Sequence, residues 1–358
     1  MTASQRPLPH PRSGAGPNPP RKSGFRLSNV RSSGQPPRLP SLSLTHLPVG
    51  RLLYIAVVLV VVVVPLLATA LAITLLWERA VHWADLALLA TLYTLVALGV
   101  TVGYHRMLTH RSFRPHPAVK LVLLVLGSMA LEGDAITWAA THTKHHALAD
   151  RPGDPHSPLD GFFHAHLGWI FAETDADPRT YCRHLLRDRL VVFVSRTHLL
   201  WVALALVIPF SVGGLLGGWA GAFTGLLWGG LVRQFLAHHV TWSVNSVCHT
   251  FGRRAFATND ASRNEWIVGL LGFGEGWHNN HHAFPRSAFH GLRWWQFDLA
   301  GYTIRLLERL GLASDVYRVP PALLARRTRR AGGNGVVLPG ARERETASAP
   351  TPGESILA

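Results

Sequence analysis

The chain has 358 residues and only two cysteines, Cys182 and Cys248, without paired spacing. That argues against both a disulfide framework and a zinc ribbon. Formal net charge is +15, with much of the basic surplus near the two ends. Beside long charge-free apolar blocks, such a surplus points to anionic lipid and membrane orientation rather than to nucleic acid.

Residues 1–48 are rich in Pro, Ser, Gly and Arg and lack hydrophobic periodicity, so they are expected to be disordered. Residues 52–77 carry no charge and are long enough to cross a bilayer, with a kink expected at Pro65. A short polar link leads to a second span, residues 83–104. The Arg-rich segment ahead of the first span places the amino terminus in the cytoplasm. The second span then delivers His105 back to that side. Residues 119–131 are apolar but short, which suits a partly embedded helix. Residues 134–195 are polar and expected to be cytoplasmic. Residues 199–232 are charge-free and interrupted by Gly213-Gly214 and Gly217-Gly218, which suits two spans joined by a glycine turn. The expected architecture is an all-α integral membrane protein with four transmembrane helices and both termini cytoplasmic. A membrane domain covers residues 49–319, and a second disordered tail covers residues 320–358.

Histidines carry the chemistry. His278-Asn279-Asn280-His281-His282 and His142-Thr143-Lys144-His145-His146 each place three imidazoles at i, i+3 and i+4, one face of a helix. His105 and His110 are five apart, about 140° around an α-helix. Asn245 and His249 are i, i+4, on one stripe with His238 and Trp242. Nine ligands follow: His105, His110, His142, His145, His146, His249, His278, His281 and His282. One metal has no use for nine donors; two metals with four or five each do. Asn245 is expected to hold a metal-bound water rather than the metal. Carboxylates are scarce in these motifs, which argues against a Glu-x-x-His site and against magnesium or calcium. Iron fits first and zinc second. His156, His164, His166 and His238 are candidates for supporting roles. His290 lies outside every box and reads as an ordinary residue.

These motifs resemble the membrane-bound fatty acyl desaturases of the stearoyl-CoA Δ9-desaturase family. The resemblance rests on His105-Arg106-Met107-Leu108-Thr109-His110, on the two triplets, on Asn245-Ser246-Val247-Cys248-His249, and on the flanks Gly274-Glu275-Gly276-Trp277 and His282-Ala283-Phe284-Pro285. It implies four transmembrane helices under a cytosolic helical cap that holds a di-iron site. It implies oxygen-dependent insertion of a cis double bond, expected at Δ9, into a saturated acyl chain, with O2 as co-substrate. An acyl tunnel is implied at Trp138 and Thr241, and at Glu132, where the family usually has Gln. The absence of a dinucleotide fingerprint and of a fused haem domain implies an external electron donor, a ferredoxin or a cytochrome b5-like protein, with its reductase. Three family contacts to CoA are replaced here, at Ala140-Thr141, Gly133 and Glu173-Thr174, so the carrier of the chain stays open between CoA and lipid. The alternative activity is hydroxylation by the same iron chemistry. A metal transporter is the remaining contrast, and its ligands would lie within the spans.

Overall fold

The computed structural model describes residues 48–77, 81–172 and 176–332. The expectations for residues 1–47 and 333–358, and for Glu173-Thr174, lie outside these residues. In chain order the helices are α1 Pro48–Trp77, α2 Trp83–Leu98, α3 Pro117–Ser128, α4 Ala135–Leu148, α5 Phe162–His166, α6 Pro178–Tyr181, α7 Arg189–Arg196 and α8 His198–Gly225. There follow α9 Arg233–Thr250, α10 Trp266–Leu271, α11 His278–Ala283, α12 Leu299–Arg309 and α13 Pro321–Gly332. Two-residue strands β1 Arg114–Pro115 and β2 Ala313–Ser314 pair antiparallel and tie the stretch after the first histidine box to the end of α12.

Among the described residues, three apolar helical runs are long enough to cross a membrane: Gly50–Leu75, Trp83–Thr109 and His198–Thr250. The third is not straight. Gly217 and Gly218 leave helical geometry, and Gly218 has φ +62°, a conformation that favours glycine. Beyond them the chain folds back on itself. A Cβ on Gly213 would collide with the Gly221 carbonyl, and one on Gly225 with the Pro209 carbonyl. The glycines that interrupt this apolar block therefore serve both the turn and the close approach of its two arms. Along α1, Leu52, Leu53, Val60, Leu67 and Ile73 are exposed, as a lipid-facing helix requires.

Two segments depart from expectation. Gly99–Thr109 continues α2 as a π-helix, with the His110 N–H bonded to the His105 carbonyl at 3.1 Å. In an i→i+5 helix, residues five apart are joined by the backbone hydrogen bond and lie on successive turns of one face. His105 and His110 thus share a face, their ring centroids 4.8 Å apart, and the 140° separation does not occur. The wide turn is wedged against α3, where Gly99 and Gly127 leave no room for a Cβ. The second departure is α13: expected disorder from residue 320 gives way to a helix over Pro321–Gly332. Its Leu323 and Leu324 pack on the Phe256–Phe284 cluster.

Candidate metal centre

The histidines come from four helical segments that the fold brings together. His105 and His110 lie on and just after the π-helix. His142, His145 and His146 lie on α4, whose start is capped by the Asp134 side chain bonding to the Ile136 and Thr137 N–H groups. His249 ends α9. His278, His281 and His282 lie on α11, which at six residues is too short to hold itself. Its own asparagines fasten it. Asn279 Oδ1 accepts from the Ala255 and Phe256 N–H groups at 2.7 Å each. The Asn280 amide donates to the His290 carbonyl at 2.8 Å and to Gln296 Oε1 at 3.0 Å.

The nine histidines form two groups. His105, His110, His142, His146 and His281 bring their ligand atoms within 4.8 Å of one another, and so do His145, His249, His278 and His282. Each triplet is divided, which corrects the reading of three imidazoles aimed together. In both, the i and i+4 residues share a group and the i+3 residue crosses to the other. His142 and His146 join the first group and His145 the second; His278 and His282 join the second and His281 the first. The centres are therefore interlocked, since each triplet helps to build both.

Carboxylates fix the ring orientations. Nδ1 of His105 lies 2.6 Å from Glu275 Oε2, and Nδ1 of His145 lies 2.9 Å from Asp154 Oδ1. His249 Nδ1 is 2.9 Å from Asp150 Oδ2, and His282 Nδ1 is 3.0 Å from Asp260 Oδ2. A neutral imidazole that donates through Nδ1 has only a lone pair on Nε2. Yet the Nε2 atoms of His249 and His282 stand 3.0 and 3.1 Å from His278 Nε2. His278 has at most one proton to offer there, so lone pairs converge on one point. A cation at that point resolves the conflict, and carboxylate-braced imidazoles are what a metal ion of the iron or zinc type requires. The residues present thus fit two metal ions.

Burial reinforces this. It pushes the pKa values of His110, His142, His145, His146, His278 and His281 well below the usual imidazole range, helped by neighbouring imidazoles. Neutral rings keep their lone pairs available. Burial would raise the carboxyl of Asp260, but hydrogen bonds from His282, Ser262 and Thr258 hold it below its ordinary value.

Glu275, Asp150, Asp154 and Asp260 were missed by spacing, which sees only the first ring of residues. Glu275 stood inside the quoted Gly274–Trp277 flank, and Asp154 in the Asp154-Pro155-His156 sequence. Asp150 and Asp260 carry no such signal. The reading of His290 is also corrected. It is buried, its ring centroid lies 4.4 Å from that of His281, and its Nδ1 lies 3.6 Å from Glu275 Oε1. The supporting candidates divide. His156 joins His145 and Asp154. His166 bonds Ser246 and His239, while His238 stacks on Trp242 and faces the Ala130 carbonyl, outside both groups.

Beneath the first group lies a narrow cavity lined by Tyr93, Val96, Val100, Val240 and Val244, among others. His105, His142, His278, Glu275 and Asn245 form its polar end, and Trp138, Thr241 and Glu132 also line it. Trp138 stacks on His142 at 5.0 Å and 20°, and its indole N–H donates to Glu132 Oε2 at 3.1 Å. Burial pushes the Glu132 carboxyl up to about 7, with the Thr241 hydroxyl and the Trp138 indole offsetting part of the effect.

An apolar cavity that ends on two histidine groups suits oxidation of a hydrocarbon chain, and the sequence relationships agree. Residues 81–305 match the family described as fatty acid desaturase. The chain belongs to the fatty acid desaturase family. It is an oxidoreductase that uses oxygen to desaturate an acyl chain. Relatives include a hex-5-enoyl-[acyl-carrier protein] acetylenase of Moorena producens (strain JHB), 40% identical over 73% of this chain and 85% of that protein. An acyl-CoA 5-desaturase of Anemone leveillei is 41% identical over 66% of this chain and 73% of its own length. An sn-1 stearoyl-lipid 9-desaturase of Anabaena variabilis is 39% identical over 65% and 84%. The names of these relatives thus give three different acyl carriers at nearly equal identity, so identity alone does not select one for this desaturase.

Proposed function

We propose that the desaturase places a cis double bond at Δ9 of a saturated acyl chain, with two iron ions held by the nine histidines. The observation that carries this reading is the position of the divided histidine groups at the polar end of the apolar cavity. When bound, the iron ions supply the activation of O2 that removes one hydrogen from each of two adjacent methylenes. Two electrons and two protons from outside complete the reduction of O2 to two waters. The electrons come from a separate ferredoxin or cytochrome b5-like donor and its reductase.

The protein's own groups do the rest. Glu275, Asp154, Asp150 and Asp260 hold four imidazoles in the tautomer that leaves Nε2 free. Trp138 and Thr241 shape the cavity wall where the chain bends. Asn245, which lines the same cavity as His278, would orient a water at the polar end of that cavity. Valine and alanine side chains keep bulk water from the methylenes. The fold-back at Gly217-Gly218 supports four membrane crossings, with both termini and the histidine groups on the cytoplasmic side. The same imidazoles accept zinc, which has no redox chemistry, so zinc-loaded recombinant protein is expected to be inactive.

Expression in a host that lacks this activity, followed by analysis of free, CoA-linked and phospholipid acyl pools, tests the reading. A Δ9 cis monoene in one of these pools is the expected result. A hydroxylated chain, or no product from iron-loaded protein supplied with electrons, overturns it.

A further inference from the structure

We propose that Tyr93 and α10 form a latch in the lipid-facing wall of the cavity, and that the acyl chain passes this latch directly from the bilayer while still attached to a membrane glycerolipid. The proposal rests on the acyl desaturase reading and adds the route and the carrier.

Four of the six residues of α10 are large, apolar and exposed: Trp266 at 63%, Ile267 at 48%, Leu270 at 49% and Leu271 at 47%. Under α10 the buried Trp277 ring packs on Gly269 and lies 5.4 Å, centroid to centroid, from Trp295; Trp295 and its neighbour Trp294 are exposed, Trp294 the most exposed of the large apolar residues among those described. Depth shows what covers α10. Tyr93 precedes His105 by twelve residues, about three helical turns. The Tyr93 hydroxyl donates to the Leu271 carbonyl at 2.8 Å. The end of α10 therefore meets the second span well below its histidine-bearing end, level with apolar sequence. At that level the covering medium is lipid, and tryptophans at the upper edge suit the membrane interface.

At this crossing Tyr93, only partly buried, lines the cavity together with Val96, Ala97 and Gly272 while its hydroxyl reaches α10. It is held by that one hydrogen bond and by an edge contact with Phe273, ring centroids 5.7 Å apart. The backbone beside it is set for a bend. Phe273 has φ +54°, where a bulky side chain is strained, and Gly274 has φ +114°. The start of α10 is tied to the third histidine box, the Glu265 N–H donating to the Gly276 carbonyl and the Asn264 amide to Asn280 Oδ1, each at 2.8 Å, so a bend there swings only the Leu271 end of α10.

Photolabelling of the iron-loaded full-length protein in nanodiscs tests this without requiring turnover. One arm uses phosphatidylcholine with a mid-chain diazirine on the sn-1 acyl group. The other uses a diazirine-bearing stearoyl-CoA in unlabelled lipid. Peptide mapping is expected to find the lipid probe on cavity residues Val240 and Val244 as well as on the outer face of α10. Tyr93→Phe, which removes only the hydroxyl, is expected to raise the rate of cavity labelling by the lipid probe several-fold, with labelling at Trp266 unchanged. Lipid label confined to the outer face overturns the proposal, whether or not the CoA probe reaches the cavity. Equal cavity rates in wild type and Tyr93→Phe remove Tyr93 as the latch. Failure to form a double bond from any acyl pool would instead defeat the desaturase reading, which the labelling does not measure.

Discussion

The two histidine groups solve one problem differently. The five-histidine group has more donors but one carboxylate brace, Glu275, which it shares with the Arg106 guanidinium at 3.3 Å. The four-histidine group has fewer donors, but three of its imidazoles rest on Asp154, Asp150 and Asp260. These braces are linked, since the Asp150 N–H donates to Asp154 Oδ2 at 2.8 Å. A buried dication is costly unless charge opposes it. One group therefore depends on the number of its ligands and the other on the charge behind them. The sparser, better-braced group takes His249 from α9, which one turn earlier carries Asn245 on the cavity wall.

The largest expected effect comes from removing a donor where donors are fewest. His249→Ala leaves three imidazoles in the braced group, so turnover is expected to vanish and iron content to fall from two per chain towards one. Elemental analysis and product yield measure both. Full activity in this variant would take His249 out of the centre and break the division into five and four.

Changing braces instead of donors sharpens the comparison. Losing a group that orients a ligand typically costs 10–100-fold in metal affinity or activity. Glu275→Gln strips the five-histidine group of its one carboxylate and is expected to lie near the 100-fold end. Asp150→Asn keeps the shape, and asparagine tolerates the φ of +54° found there. It removes one brace of three and is expected to lie near tenfold. Iron retention against a chelator gives the ranking, and the reverse order would refute the charge argument. Asn245→Ala should cost about tenfold in turnover with both metals kept, as expected of a residue that orients only a water. Metal loss in that variant would make Asn245 part of the ligand set.

Much of this was legible in the sequence, for a physical reason. Ligands must repeat at helical spacing, and spans must be long and apolar, so His142–His146, His278–His282 and the charge-free blocks stand out. What stayed hidden depends on contacts between distant segments. The π-helix that aligns His105 with His110 arises where Gly99 packs on α3, and no spacing rule reports it. Asp260 reaches His282 across 22 residues, and His290 reaches His105 across a larger gap, each without periodicity. The division of each triplet follows from two helices facing each other across the centre, a tertiary fact.

The smallest expected effect contrasts two glutamates that line the same cavity. Burial would raise Glu275, but His105 and Arg106 hold it below the ordinary carboxyl range. Glu132 has only an indole and a hydroxyl beside it, and burial carries it up to about 7. Its folded value is thus raised above the unfolded one. The folded state keeps this proton as pH rises from about 4.5 to about 7, and its contribution to stability declines through that window. Below about 7 the carboxyl is neutral and suits an apolar chain; above it a charge sits in the cavity wall. Turnover limited by the neutral form should fall about tenfold between pH 6 and pH 8, as one titrating proton near 7 dictates. Glu132→Gln keeps an acceptor for the Trp138 indole and cannot ionise, so its profile over that range should be flat, at a rate near that of the wild type at pH 6. Rates measured at saturating electron donor for both proteins decide the matter. An unchanged slope in Glu132→Gln would assign the titration to another group and leave Glu132 as a shape-determining residue only.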